Sequence, residues 1–396
     1  MSGSGCAKHA TRVHGGIGTH GGRVLDVKQN NFTPARRLAA ALNYQEADRI
    51  PFDLGSTKVT GININAYKGF LAYKGWGNAD PIPAIADPVQ QLALVNEEVL
   101  CAVGADTRGL MPLAGGGFTP VYRDDGRYTS FVDEWGIGWR MPDDNGHYYD
   151  ICAHPLAGDL TMRGIETYAW PDALDPARTA AFTRDIARWG NGEGYGLVLN
   201  GLTSGVFEMA LRLRGFERFL TDMVLEPVLA QALLEKITDL KCAYWKRALT
   251  LYGERVLVAV EADDIGTQFT QLISPATYRA MIKPLHKRIF ATIKRRAPGV
   301  KVFLHSCGAV RLLIEDFIDI GVDILNPVQV SATGMDTKAL KRDFGDCLTF
   351  WGGAVDSQQT LPHGTPAQVR DEVRRRIEDL APSGGFVFTA IHNIQS

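Results

Sequence analysis

The chain has no uninterrupted apolar stretch approaching the roughly 18 residues that a membrane-crossing helix needs. Its first 30 residues, rich in Gly, His and Lys, lack the apolar centre of a signal peptide. Long basic runs are missing too. With 42 basic and 44 acidic residues the formal charge is −2, so the electrostatic footprint of a nucleic-acid binder is absent. Cysteine is sparse, six in 396 residues, and Cys6, Cys101, Cys152, Cys242, Cys307 and Cys347 are too dispersed to suggest a disulfide framework. These absences set aside a membrane span, a nucleic-acid partner and a disulfide-stapled scaffold. They favour reduced thiols in a cytoplasmic compartment.

What is present is material for a large core: 45% hydrophobic and 22% charged residues over 396 positions. Residues 1–30, with His9, His14 and His20, read as a disordered tail, and 31–396 as a single domain. Short apolar runs bounded by turn residues occur at 49–54, 106–111, 196–202, 256–263, 301–305, 322–327, 348–352 and 385–391, eight candidate strands. Amphipathic stretches at 87–103, 274–297, 310–321, 335–344 and 365–380 alternate with them, and that alternation makes a parallel sheet. Ser274-Pro275 and Thr365-Pro366 supply N-caps followed by proline at the first helical position. Gly321 and Gly345 are placed to end helices in the left-handed conformation. The expected fold is a (β/α)8 barrel of the TIM type.

Two segments interrupt the repeat. Residues 112–170 contain two β-rich pieces, 128–132 and 136–140, around Glu134-Trp135, predicting a β-hairpin insertion near one barrel mouth. Residues 207–252 read as two consecutive helices.

Barrel enzymes place reactive groups at the carboxyl ends of the strands, where the loops converge. Polar residues do collect there. Among them Glu261, Asp263, Asn326 and Asp356 are the candidate catalytic groups, and Asp53, Thr203, Gln329 and Gln358 the candidate substrate-binding ones. Ser56, Arg108, Asn200 and Asn393 share the same ends. Because Asp263 and Asp264 are neighbours on a strand, only one of them can enter the barrel.

The sharpest signal is His305-x-Cys307 at the end of Val302-Phe303-Leu304, since a strand turns positions i and i+2 to one face and both side chains can reach one ion. Zinc accepts imidazole and thiolate together and, with three protein ligands, keeps a fourth position for substrate. The third ligand must come from another strand. His392 is the first choice, Glu261 and Asp263 the next. The alternative is a hydrogen-bonded barrel histidine beside a small buried cysteine. His286 and His363 read as a helix-surface and a loop residue, and Cys347 belongs at the opposite face of the barrel.

Several motifs in order resemble the uroporphyrinogen decarboxylase-like barrels, and among them the corrinoid-linked methyltransferases. They are Arg36-Arg37-Leu38 through Asp48-Arg49-Ile50-Pro51, Asp263-Asp264-Ile265-Gly266-Thr267-Gln268, Phe303-Leu304-His305-Ser306-Cys307-Gly308, residues 321–329, Phe350-Trp351-Gly352-Gly353 and His392-Asn393-Ile394-Gln395. The decarboxylases carry an N-terminal Arg-Gln-Ala-Gly-Arg signature that holds substrate carboxylates. Here the corresponding stretch is Pro51-Phe52-Asp53-Leu54-Gly55-Ser56, without those arginines. The methyltransferase branch carries a His-x-Cys zinc pair completed by a later ligand, commonly a cysteine, where this chain has His392.

The resemblance implies methyl transfer between a small molecule (methoxy-arene, methylamine, thiol or folate) and a separate corrinoid-binding protein, with zinc activating a thiol or polarising the methyl-bearing heteroatom. It also implies a final helix beyond Ser396, so a truncated barrel is expected. A metal-free tetrapyrrole decarboxylase, for which Arg108, Arg140 and Arg212 are the available cations, and a non-catalytic corrinoid-binding barrel are the competing readings.

Overall fold

The computed structural model describes residues 32–76, 84–190 and 194–396. The expectation of a disordered tail at 1–30 falls outside the described residues. Seven parallel strands form one curled sheet: β1 (Thr107–Leu110), β2 (Gly196–Asn200), β3 (Val258–Ala262), β4 (Lys301–His305), β5 (Ile324–Asn326), β6 (Thr349–Trp351) and β7 (Phe386–Val387), hydrogen-bonded in chain order. The expected strand at 49–54 takes the eighth place as a single bridge. Phe388 N–H donates to Pro51 O, Asp53 N–H donates to Phe388 O, and Asp106 N–H donates to Phe52 O. Residues 51–53 thus join both edges of the sheet, and the fold is a TIM-type barrel. Pro51 has no N–H, and the N–H of Phe52 is taken by the Asp106 carboxylate, so a regular ladder cannot extend here.

Side-chain alternation divides each strand between two cores. Val198, Val258, Val260, Phe303, Ile324, Trp351 and Val387 point into the barrel, where Leu38 and Leu42 of helix α1 (Pro34–Leu42) join them. Leu197, Leu199, Ala259, Val302, Leu304, Leu325 and Phe350 point outward against the helices. Gly196 is required at the start of β2, because a Cβ there would lie 2.4 Å from Leu38 Cδ2.

Several local expectations are corrected. Residues 207–252 form three helices: α2 (Val206–Arg214), α3 (Phe216–Leu225) and α4 (Pro227–Tyr252). Gly215, at φ 97°, and Glu226-Pro227 break the run. The 87–103 stretch is helical only over Glu97–Val103. Pro88 and a left-handed Gln91 turn the chain, and Leu92–Ala93 pairs with Ile85–Asp87 as a short hairpin. Gly321 is left-handed at φ 101°, but Gly345 stays right-handed at φ −62°. Thr365 closes a full capping box on α5 (Pro366–Leu380) with Gln368. Cys101, Cys152, Cys242 and Cys307 are free thiols. No helix among the described residues is long and apolar enough to cross a membrane.

The insertion after β1 is larger than one hairpin. Arg123–Asp124, Tyr128–Val132, Gly138–Pro142 and Asp150–Ala153 make a four-stranded antiparallel sheet, with Phe131 opposite Trp139. Its hairpin returns at 138–142 instead of 136–140, because Asp133 folds the loop by accepting from the N–H groups of Trp135 and Ile137. The sheet is fastened to α2, where the Leu156 N–H donates to Leu213 O and the Arg212 guanidinium lies 5.4 Å from the Trp139 ring centre.

The closing seam carries the most concentrated charge of the scaffold. Asp106 is fully buried. It takes Arg37 Nη1 at 2.5 Å, Arg49 Nη1 at 2.6 Å and the Phe52 N–H at 2.8 Å, while Arg37 also holds Asp48. Replacing the carboxylate leaves a buried guanidinium short of its counter-charge. Asp106→Asn is expected to destabilise the fold by about 3 kcal/mol, read as a fall in the urea midpoint at unchanged slope. A midpoint equal to wild type would mean the seam is held by backbone bonds alone.

Candidate metal site at the barrel mouth

His305 ends β4 facing inward, in step with Phe303 two residues earlier. Its ring is buried, and Nδ1–H donates to Asn326 Oδ1 at 2.5 Å. That bond fixes the tautomer and leaves the Nε2 lone pair free. Asn326 is itself held, its Nδ2 donating to Trp351 O at 2.7 Å. The Cys307 Sγ lies 3.3 Å from His305 Nε2, and the His392 ring is 5.4 Å from that of His305, centre to centre. One ligand atom from each of His305, Cys307 and His392 lies within 4.8 Å of the others. The geometry brings together the triad whose third member the sequence left open.

Backbone anchors hold the loops that carry these groups. Asp264 Oδ1 accepts the Cys307 N–H at 2.8 Å, and Gln329 Oε1 accepts that of Gly308 at 2.8 Å. Beyond β7, Asn393 is saturated: Oδ1 accepts from the Gly61 N–H, and Nδ2 donates to Lys58 O and Gln90 Oε1. His392 is therefore presented by a fixed backbone.

The titration of the site follows from its dryness. Burial pushes the Cys307 thiol well above its ordinary range, and the nearby carboxylates of Asp264 and Glu208 add to the effect. Burial lowers His392 to about 4, with the neighbouring His305 contributing. Burial also raises the Glu208 carboxyl, against the pull of Arg212, its ion-pair partner one turn along α2.

A cavity of about 300 Å³ opens over the triad. Cys307 and His392 lie at its base. Gln268, Gln329 and Gln358, with Thr267, Ser331 and Ser357, make its polar wall, and Ile391 is its apolar contribution. Among the proposed substrate-binding residues, Gln329 and Gln358 are on this wall. Asp53 and Thr203 are not. Asp53 is buried inside the barrel, accepting from Thr107 Oγ1 at 2.6 Å and Trp351 Nε1 at 2.9 Å, and Thr203 Oγ1 donates to Met209 Sδ.

The candidate catalytic acids are also elsewhere. Glu261 and Asp263 share a strand face, as expected, but it is the face turned to the helices. Glu261 is buried against Lys241 Nζ at 2.8 Å and the Trp245 indole. Asp263 accepts the N–H groups of Phe207 and Glu208 at the start of α2 and lies 2.8 Å from His286 Nε2. This corrects the reading of His286 as a surface residue, since it is buried against the Tyr278 and Phe290 rings. Gly205 permits the approach, as a Cβ there would meet Asp263 Cγ at 2.1 Å. Asp356 folds its own turn by accepting the N–H groups of Gln358 and Gln359, and Asn326 orients His305. The missed residue is Asp264, and the signal was available: Val258, Val260, Ala262 and Asp264 fall on one parity, the inward one.

Comparison with known proteins gives the family and the fold of the chain. A model of the family described as uroporphyrinogen decarboxylase (URO-D) matches residues 160–396. The methylated-thiol–coenzyme M methyltransferase of Methanosarcina mazei is 26% identical over 220 residues, 54% of this chain and 54% of that one. A uroporphyrinogen decarboxylase of Bacillus mycoides is 24% identical over 173 residues, 42% of this chain and 47% of that one. The chain spans about half the length of the curated relatives it matches. Among solved structures, a methyltransferase from Methanosarcina mazei superposes with a TM-score of 0.61 over 92% of this chain and 95% of that one at 18% identity, a likeness of fold.

Asn326 fixes the ring of His305 without lining the cavity and also satisfies the buried Trp351 O, so its removal should weaken ion binding and cost some stability as well. Asn326→Ala is expected to weaken binding of a divalent transition ion about 10- to 100-fold. A chelator-competition titration reads this, with circular dichroism checking that the fold is kept. An unchanged affinity would remove Asn326 from any positioning role.

Proposed function

The chain belongs to the uroporphyrinogen decarboxylase family, and from that premise we propose that it is a zinc-dependent methyltransferase moving a methyl group between a small molecule and a corrinoid carried by a separate protein. The reading treats residues from 32 onward as one catalytic domain. The observation that carries it is the His305, Cys307 and His392 cluster, two of whose members line a cavity of about 300 Å³ with a largely polar wall. Two imidazoles and one thiolate are a zinc donor set, and three protein ligands leave a fourth position for an exogenous group. Bound there, zinc supplies Lewis acidity toward a thiol or a methyl-bearing heteroatom.

The chain's own residues set the geometry. Asn326 aims His305 Nε2 at the cluster. His392, lowered to about 4 by burial, presents a neutral imidazole at physiological pH. Cys307, raised by burial, holds its proton at Sγ until a cation displaces it. Asp264 and Gln329 keep the 307–308 backbone still by accepting its N–H groups. A methoxy-arene, methylamine, thiol or folate are the candidate partners in the transfer, and O-demethylation within one-carbon metabolism is the corresponding physiological class.

A tetrapyrrole decarboxylase fits less well. Its substrate carries several carboxylates, and the arginines that sequence offers are engaged elsewhere: Arg108 with Glu97, Arg140 against the Tyr128 ring, Arg212 with Glu208 and Trp139. None of the three lines the cavity.

Metal analysis of the purified wild type beside Cys307→Ser and His392→Ala tests the proposal. About one zinc per chain is expected to separate wild type from either variant, with His9, His14 and His20 common to all three. Methyl transfer to added cobalamin should disappear with the ion. A folded wild type with the same zinc content as both variants would sink the zinc mechanism and bring forward the decarboxylase or the non-catalytic binding barrel.

A further inference from the structure

The cavity wall is uncharged. Among its described lining residues there is no Lys, Arg, Asp or Glu. Polar capacity comes instead from three glutamines and three hydroxyl side chains, and most of it is already committed. Gln329 Nε2 donates to Gln268 Oε1 at 2.8 Å, and Gln268 Nε2 donates to Ser331 O at 2.6 Å. Gln329 Oε1 holds the Gly308 N–H. Those two amides brace the wall.

Gln358 differs. Its backbone N–H is fixed by Asp356 Oδ1 at 2.8 Å, and its Oε1 accepts from Ser331 Oγ at 3.2 Å. The Nε2 group has no protein partner among the described residues, leaving two N–H donors on the cavity wall.

The electrostatics of the base point the same way. The Asp264 carboxylate stands beside the base of the cavity, with Oδ1 3.6 Å from His305 Nε2. An acid entering the cavity would lose hydration and meet no counter-cation on the wall, a cost that a neutral molecule does not carry.

Resting on the reading above that the methyl-bearing molecule sits over the triad, we propose that this molecule is a small uncharged compound bearing a hydrogen-bond acceptor. The Gln358 amide reads that acceptor, and carboxylates and other anions are discriminated against. Cavity size supports a compact molecule, since about 300 Å³ is at the small end for ligand sites.

The test is a ligand-observed NMR titration of the full-length zinc-loaded chain with two probes of nearly equal size, 2-(methylthio)ethanol and (methylthio)acetate. The neutral probe is expected to bind about tenfold more tightly or better. Gln358→Lys places a cation on the rim without touching the triad, and it should abolish or reverse that preference. Tighter or equal binding of the acid by wild type overturns the proposal, and so does failure of both probes to bind. A neutral preference that survives unchanged in Gln358→Lys overturns the role of Gln358. Zinc content of the same sample reports separately on the methyltransferase reading. If the chain takes up no zinc that reading fails, and the charge preference of the cavity is still read from the two probes.

Discussion

A β-strand sends successive side chains to opposite faces, and in this barrel the two faces lead to different chemistry. Inward positions fill a dry interior and, at the strand ends, reach the cavity. Outward positions meet the helix layer. His305 inherits the inward parity of Phe303, and Asp264 that of Val258 and Val260. Glu261 and Asp263 inherit the outward parity of Ala259. That one-residue difference makes Asp264 an anchor of the Cys307 loop and turns Asp263 into the N-terminal anchor of α2. The same rule converts Glu261 from a candidate ligand into the buried partner of Lys241.

How far the sequence disclosed this molecule follows from the range of the interactions concerned. Elements specified by local chemistry were readable: the Thr365 capping box, the Ser274 N-cap, the left-handed Gly321 and the parallel alternation itself. His-x-Cys at a strand end was readable because the pair is only two residues apart. Features created by distant contacts were not. His286 sits on a helix whose pattern is strongly basic near its end, and nothing local says that the ring is buried and bonded to Asp263. Asp53 stands at a strand end like a ligand-binding residue, yet its partners Thr107 and Trp351 come from 54 and 298 positions away. The parity of Asp264 was legible from Val258 and Val260, and choosing its neighbour was an error of face assignment. The four-stranded extent of the insertion depended on turns at Asp125 and Asp133 that periodicity alone does not locate.

The triad is held by hydrogen bonds to neutral amides and to backbone, and this affects its rigidity. Asn326 bonds at both ends of its amide, to His305 and to Trp351 O on the next strand. Asn393 bonds through both its carbonyl and its amino group, tying the 391–394 segment to residues 58–61 and to Gln90. Gln329 and Gln268 brace each other across the cavity wall. A buried amide with every donor and acceptor satisfied has one low-energy orientation, and rotating it strands a polar group in a dry site. Ligand atoms from the ends of two strands, β4 and β7, are thereby kept within a few ångströms of one another without a direct covalent or ionic tie between them.

The resulting site is built around a missing positive charge. Burial alone would keep the Cys307 thiol protonated, and the nearby Asp264 and Glu208 carboxylates strengthen that tendency. A bare thiolate there would be desolvated and repelled. His392 cannot supply the balancing charge, because the same dryness holds it neutral down to about pH 4. Arg212 is engaged by Glu208 and lies over Trp139 of the insertion sheet. A cation seated among His305, Cys307 and His392 would remove the conflict in one step: it would stabilise the thiolate, take the imidazoles as ligands and leave Asp264 as the remaining counter-charge. The lining of the cavity above it adds no charged side chain among the described residues, so any balance of charge has to be struck at the base itself.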